Sequence, residues 1–384
     1  MLTSIRTFLH PEGYHGKKRR PPFFEGWFYK CVDARGENRL AVIPGIALHR
    51  EPEQDHAFIQ ILDGRSGRSY YHRLQASQFS ASPRSLEQCI GSNRFSRGGM
   101  ALEITGEEWQ LKGELCFGPF TPWPVTLRSP GAMGWYAWAP FMECNHGVVS
   151  FDHELGGKVI LNGEEIDFNG GRGYIEKDWG RSFPQAYIWL QSNHFPVPGT
   201  SFMASVAIIP WLGRAFPGFI IGLHHRHHLY RLATYTGALL EALEVGDAEI
   251  LLQICDRQHR LSVRAERSAT GLLHSPTPQG MQGRIAETLG GTISLRLDRM
   301  DTRETILEQT GLHAGIDAAG DLPACSRSCI VIPRVRSQLP PQRPALTRTH
   351  LTEAGAIARF KRVGVAALTV HSRKIPVAFF LRIA

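Results

Sequence analysis

The chain has 384 residues, 42% hydrophobic and 20% charged, a balance expected of a soluble globular protein with a large core and, by length, about two domains. No run approaches the roughly 18 apolar residues that span a bilayer, and residues 1–10 lack the apolar core of a cleavable signal, so a cytoplasmic protein is expected. The formal charge of +8 does not make the body a nucleic-acid binder: eleven Lys and Arg against one acid, Glu353, lie from Ala324 onward, leaving 32 bases against 34 acids before it.

Seven cysteines, at 31, 89, 116, 144, 255, 325 and 329, show no paired spacing. Cys325 and Cys329 stand four apart without a second pair, which favours reduced structural thiols over a zinc knuckle.

An aromatic segment comes first, Pro11-Glu-Gly-Tyr-His15 and then Phe23-Phe-Glu-Gly-Trp-Phe-Tyr-Lys30. As a strand it puts Phe23, Glu25, Trp27 and Tyr29 on one face. A carboxyl in that row either finds a hydrogen-bonding partner or has its pKa raised by desolvation. A buried Glu25 that ties down a neighbouring loop is the structural alternative to one that meets a ligand. Onward to about Glu308, short apolar runs alternate with period two, among them 40–48, 57–62, 109–117, 202–209, 250–254 and 293–297, punctuated by Gly, Pro, Asn and Asp. Such spacing, without long amphipathic helices, predicts an all-β sandwich or barrel rather than a βαβ protein.

Residues 131–151 carry Trp135, Trp138 and, inside a strand-like run, His146; Asp152, His153 and Glu154 follow. Each histidine reads either as a core residue or as a proton carrier, for which its pKa is suited. Next comes Asn169-Gly-Gly-Arg-Gly-Tyr-Ile-Glu-Lys-Asp-Trp-Gly180, the segment least like a generic strand. Its glycines permit a backbone that a Cβ would forbid. Alternation and then Pro184 follow instead of a helix, so this is not a phosphate loop. If the run is extended, Tyr174, Glu176 and Asp178 share one face and Ile175, Lys177 and Trp179 the other. A phenol and two carboxyls on one face describe either an acid–base site or a salt-bridged strand end. A second aromatic and polar strand, 187–195, follows at once.

His224-His-Arg-His-His228 looks like a ligand cluster, but a hairpin divides its histidines between two faces and the helical His-Glu-x-x-His spacing is missing. A solvated turn, with no metal, is the more economical expectation. Serine-hydrolase chemistry has no support, for there is no Gly-x-Ser-x-Gly elbow. After Asp321 the composition turns Pro-rich and then basic, which predicts a weakly coupled, poorly ordered extension; 351–369 is a candidate helix.

Residues 14–15, 23–30, 135–141, 143–150, and above all 170–180 with Phe183-Pro-Gln-Ala-Tyr-Ile-Trp-Leu-Gln-Ser-Asn-His-Phe195, resemble the tocopherol cyclase family, and 229–237 and 310–317 extend the likeness. The resemblance covers about 13–322. It implies a calycin-like architecture of two lipocalin-like β-barrel domains, 12–140 and 141–322, followed by the basic extension 323–384. It also implies closure of a chromanol ring from a prenylated hydroquinone: an acid protonates a trisubstituted alkene and the phenol oxygen captures the cation. That reaction is redox-neutral and calls for no cofactor. The related carotenoid hydratases use water as nucleophile and resemble this chain in a Gly-Tyr-x-acid-x-Asn-Trp-Gly pattern, which falls on Gly173, Tyr174, Glu176, Asp178, Trp179 and Gly180. Asp at 178 in place of Asn favours the cyclase branch. Alkene hydration and non-catalytic binding of a hydrophobic small molecule remain the alternatives.

Alkene protonation needs a neutral carboxylic acid, which points to Glu176 as general acid, tuned by Tyr174 and Asp178, with the phenol proton leaving directly or through His146 or His153. Trp27, Trp179, Trp189 and Phe195 are candidates for a cation-stabilising wall, although Trp179 falls on the opposite strand face. Glu25, Tyr29, Trp135, Trp138 and Asn193 complete the expected substrate-binding set. The expected partner is a hydrophobic prenylated small molecule, with no nucleic acid and with peripheral membrane contact open to the basic extension. Oligomeric state is not readable from the sequence.

Overall fold

The computed structural model describes residues 9–320 apart from 18, 140–141 and 212–213, and within these the chain is all-β. The basic extension and its two cysteines lie outside the described residues; the five cysteines within them are free thiols. None of the described helices is long and apolar enough to cross a membrane.

Two large antiparallel sheets carry the architecture. At the middle of the first lies Phe23–Val32, paired on one side with Arg39–Leu48 and on the other with Gly171–Gly180. One arm continues through His56–Asp63 to Ser69–Gln75; the other runs through Cys144–Leu161 and Gln110–Phe117 and ends at Phe79–Ala81. In the second sheet Ala186–Ser192 is central, between Ser201–Trp211 and Thr305–Gly320, and the long strand Gly280–Arg299 follows beyond.

Period-two alternation decides which core each side chain joins. Trp27 and Tyr29 enter an apolar cluster on one face of the first sheet, with Val42, Ile59 and Ile175, while Phe28 turns the other way. In the second sheet Ile188 and Leu190 enter a cluster with Phe202, Ile221 and Leu252, while Trp189 turns away from it. Phe28, Tyr174 and Trp189 meet Met203, Leu273 and Ile285 in a third cluster, which joins the sheets. Central strands are therefore covered on both faces, and His56–Asp63 and Ala186–Ser192 are buried along their whole length. Gln60 pins the join: its Nε2 donates to the His274 carbonyl at 3.0 Å and its Oε1 accepts from the His274 amide at 2.7 Å.

The all-β expectation holds. Among the described residues no pairing joins the end strands of either sheet, so barrel closure is not shown. The change from one sheet to the next falls between Gly180 and Ala186. The reason is pairing: Cys144–Leu161 hydrogen-bonds to Gln110–Phe117 on one side and Gly171–Gly180 on the other, which places residues 118–143 in an excursion from a single sheet. That excursion holds a short ribbon and the 3-10 turn Gly134–Trp138.

The histidine cluster is a hairpin turn. Arg226 and His227 have φ of 49° and 64°, as a two-residue turn with left-handed central residues demands. His224 and His225 are occupied with the Gly199 carbonyl and the Thr200 hydroxyl.

Candidate active site

Strand Gly171–Gly180 positions the chemistry. Gly170 turns into it with φ of 74°, which the backbone path requires, and at Gly173 a Cβ would come within 2.3 Å of the His153 ring, so that glycine makes room for the imidazole. The strand is extended, and Tyr174, Glu176 and Asp178 share the face that looks toward the second sheet. Register places Glu176 between Phe28 and Val148, and Asp178 between Gly26 and His146.

These neighbours form one connected group. The Tyr174 hydroxyl donates to Glu176 Oε2 at 2.6 Å, and the Trp189 indole N–H, arriving from the other sheet, donates to the same oxygen at 2.9 Å. His146 Nδ1 sits 2.9 Å from Asp178 Oδ1, and its Nε2 lies 3.5 Å from Glu176 Oε2.

Electrostatics follow from burial. Glu176 is 4% exposed. Burial pushes its carboxyl up to about 7; the His146 charge opposes this and the Asp178 charge adds to it. For His146, burial works against the charged form, but the carboxylates of Glu176 and Asp178 outweigh it and lift the imidazole to about 9. Burial, then the Glu176 charge, raises the Tyr174 phenol well above its ordinary value. Near neutral pH the group therefore combines an imidazolium with a carboxyl that is substantially protonated.

His146, Glu176 and Asp178 also offer ligand atoms within 4.8 Å of one another, so a cation could be held there. In the arrangement present, His146 Nδ1 meets Asp178 and Nε2 faces Glu176, so a doubly protonated ring occupies the same ground as a cation would.

The group opens onto a cavity of about 180 Å³ between the sheets. Phe24, Phe28 and Phe58 wall it on one side and Trp189, Phe219 and Ile285 on the other. Phe28 and Trp189 meet edge to face across it, their centroids 5.2 Å apart.

Of the residues expected from sequence, Glu176, Asp178, His146 and Trp189 line this cavity, and Tyr174 bonds to Glu176 behind it. The others are elsewhere. Glu25 lies on the opposite face, where both oxygens accept from the His15 amide at 2.9 and 3.0 Å and Lys177 Nζ stands 2.5 Å away. It ties down the incoming segment, the structural alternative. Trp27 and Trp179 flank the Lys177 ammonium at 4.8 and 4.6 Å, and Trp179 stacks on His15. Tyr29 donates to Gln88 within the first core.

His153 packs against Phe117 and Phe120, with burial pushing its imidazole down to about 3. Trp135 is 44% exposed and packs at a tilt against Tyr136, while Trp138 donates to the Leu127 carbonyl; Tyr136 of this turn and Met133 just before it line the cavity. Asn193 donates to Asp152 and to the Gly173 carbonyl, and Phe195 belongs to the second core.

Sequence reading missed Tyr187, Glu287 and Asp317, which line the same cavity. A signal existed for Glu287: Ile285 and Leu289, two positions either side, place it on an apolar face.

A buried, protonatable carboxyl thus lies between two antiparallel sheets at a cavity walled by aromatic rings, an arrangement suited to acid–base chemistry on a small molecule. Residues 95–320 match the family model described as tocopherol cyclase-like, and the chain belongs to that family. Relatives include the chloroplastic tocopherol cyclase of Zea mays, 26% identical over 209 residues that make up 51% of this chain and 43% of that protein. The probable chloroplastic tocopherol cyclase of Oryza sativa subsp. japonica is 25% identical over 211 residues, 51% of this chain and 44% of the relative. The match thus spans less than half the length of either relative. A crystal structure of CghA shares the fold, with a TM-score of 0.52 at 10% identity over 79% of this chain and 90% of that one.

Proposed function

We propose that the protein is a tocopherol cyclase-like intramolecular cyclase acting on a prenylated phenol or hydroquinone. The observation that carries this reading is Glu176, a carboxyl raised to about 7 by burial, aimed into an aromatic-walled cavity. Its proton goes to the less substituted carbon of a trisubstituted alkene, whose π pair forms the new C–H bond. The tertiary cation left behind faces the Phe28 and Trp189 rings, whose electron-rich surfaces stabilise it. A lone pair of the phenol oxygen then closes the ring as the phenol proton leaves. No electrons enter or depart, so the cycle is redox-neutral. His146 and Asp178 keep a fixed charge pair beside the acid, and Tyr174 and Trp189 hold its carboxyl in place.

Cavity size limits what is enclosed. About 180 Å³ suits the ring and the isoprene unit that reacts, whereas pockets for whole drug-sized ligands run to roughly 300–1,000 Å³.

The test is turnover of a panel of prenylated hydroquinones by the purified protein. Glu176→Gln should abolish chromanol formation, and Asp178→Asn should reduce it less. Products carrying a new tertiary alcohol would make the protein a hydratase. An inactive wild type that binds the panel as tightly as its Glu176→Gln variant would make it a carrier.

A further inference from the structure

A second pair of carboxyls lies on the opposite wall of the cavity. In the second sheet Trp189, Asp317 and Glu287 are cross-strand neighbours in one row, since Trp189 pairs with Asp317 and Asp317 with Glu287. Side chains paired in this way share a face. Both carboxyls line the cavity, and each residue is only 4% exposed.

Their bonding is incomplete. The Tyr187 hydroxyl donates to Asp317 Oδ2 at 2.7 Å, but Asp317 Oδ1 and Glu287 Oε1 are buried without a hydrogen-bond partner in the protein. A buried acceptor left unpaired costs roughly 1–3 kcal/mol, so two of them facing one cavity mark a place for a donor. Two carboxylates directly opposite one another cannot both stay charged at low cost. Burial and then the Asp317 charge raise Glu287 well above the ordinary carboxyl range, and burial pushes Asp317 up to about 7. The buried ammonium of Lys30 opposes the rise at Glu287. The pair thus favours holding one proton between its two members.

We propose that Glu287 and Asp317 form a hydroxyl-docking pole that seats the ring hydroxyls of the ligand and that Asp317 accepts the phenol proton as the ring closes. This rests on the cyclase reading and extends it. Proton balance is complete: Glu176 gives its proton to the alkene carbon, the phenol oxygen forms the C–O bond, and the O–H proton passes to Asp317 while its electron pair stays on oxygen. Trp189 separates the two poles, with its N–H on Glu176 and its strand partner Asp317 alongside, so donor and acceptor flank one aromatic ring. Proton exchange with solvent resets both groups after the product leaves.

Binding and turnover test this separately. The binding probes are a short-chain prenylated hydroquinone with its alkene saturated, which cannot react, and the dimethyl ether of the same compound. Wild-type protein and Glu176→Gln should both prefer the hydroquinone by about tenfold or more. Asp317→Leu should lose that preference while its affinity for the ether stays within roughly threefold. Asp317→Asn keeps the shape and the Tyr187 contact, so with the unsaturated substrate it should lower kcat by about a hundredfold with little change in KM. Equal affinity of the wild type for the two probes, or a preference that survives in Asp317→Leu, overturns the docking pole. Unchanged kcat in Asp317→Asn overturns its role as proton acceptor. If the wild type turns nothing over, the cyclase reading fails, and the two probes still decide whether this pole binds hydroxyls.

Discussion

Glu176 and His146 face each other at 3.5 Å, and the imidazole is anchored from behind by Asp178 at 2.9 Å. On the cyclase reading the Glu176 carboxyl must be neutral to act, and it stands against a cation that favours its ionised form. Removing the cation should make the acid weaker. In His146→Gln the Glu176 pKa rises above its value of about 7, so the alkaline limb of the kcat–pH profile should move up by about one unit. A limb that stays put or moves down would detach His146 from the acid.

The opposite face of the same strand predicts a stability effect with no chemistry in it. Glu25 and Lys177 are buried completely and stand 2.5 Å apart. Glu25→Gln leaves the ammonium, between Trp27 and Trp179, with the Gly13 carbonyl and His15 Nδ1 but without this carboxylate, and should cost about 3–5 kcal/mol in denaturant unfolding, whereas Glu25→Gln with Lys177→Met should cost much less. Ligand affinity of the double variant should match wild type, since neither residue borders the cavity. Additive losses in the cycle would mean that the two charges do not depend on each other.

His153 gives an acid-side signature. Its folded-state pKa, about 3, lies below the ordinary histidine value, so folding favours the neutral ring. The stability from that preference is fully present above about pH 6.5 and is lost as pH falls toward 3. At pH 5 the loss should reach roughly 2 kcal/mol, and His153→Gln should flatten the decline between pH 7 and 5. Parallel stability–pH curves for the two proteins would contradict this.

Gly26 predicts an obstruction. It borders the cavity beside Asp178, and a Cβ there would meet nothing nearer than 3.8 Å, so a larger side chain can grow into the space. Gly26→Leu should weaken binding of a prenylated hydroquinone by about tenfold or more while stability changes by less than about 1 kcal/mol. Calorimetric titration beside a urea melt reads both; unimpaired binding would move the ligand away from this wall.

Strand parity was the legible part of this molecule. Alternation alone sorted Tyr174, Glu176 and Asp178 from Lys177 and Trp179, and the turn at His224 to His228 followed from spacing. The same rule could not say which face of Phe23–Val32 borders the cavity, because both faces are apolar and both are buried. Trp27 and Tyr29 looked like the richer row, yet Phe24 and Phe28 are the ones at the cavity. Glu287 and Asp317 escaped notice because they are thirty positions apart and only the Gly280–Arg299 and Thr305–Gly320 pairing makes them neighbours. The change of sheet near Gly180 was hidden for a similar cause: hydrogen-bond partners from 110–117 and 171–180 are invisible in local periodicity.

The chamber takes one wall from strands that end at Gly180 and the other from strands that begin at Ala186, so it behaves as a two-part mould cast from successive stretches of gene. Substitutions in the later stretch that spare Trp189, whose N–H holds Glu176, reshape the space and leave the carboxyl in its seat. A chimera spliced at 181–185 with the later half of a relative would transplant one wall in a single step, and the products it forms would report which half decides ligand choice.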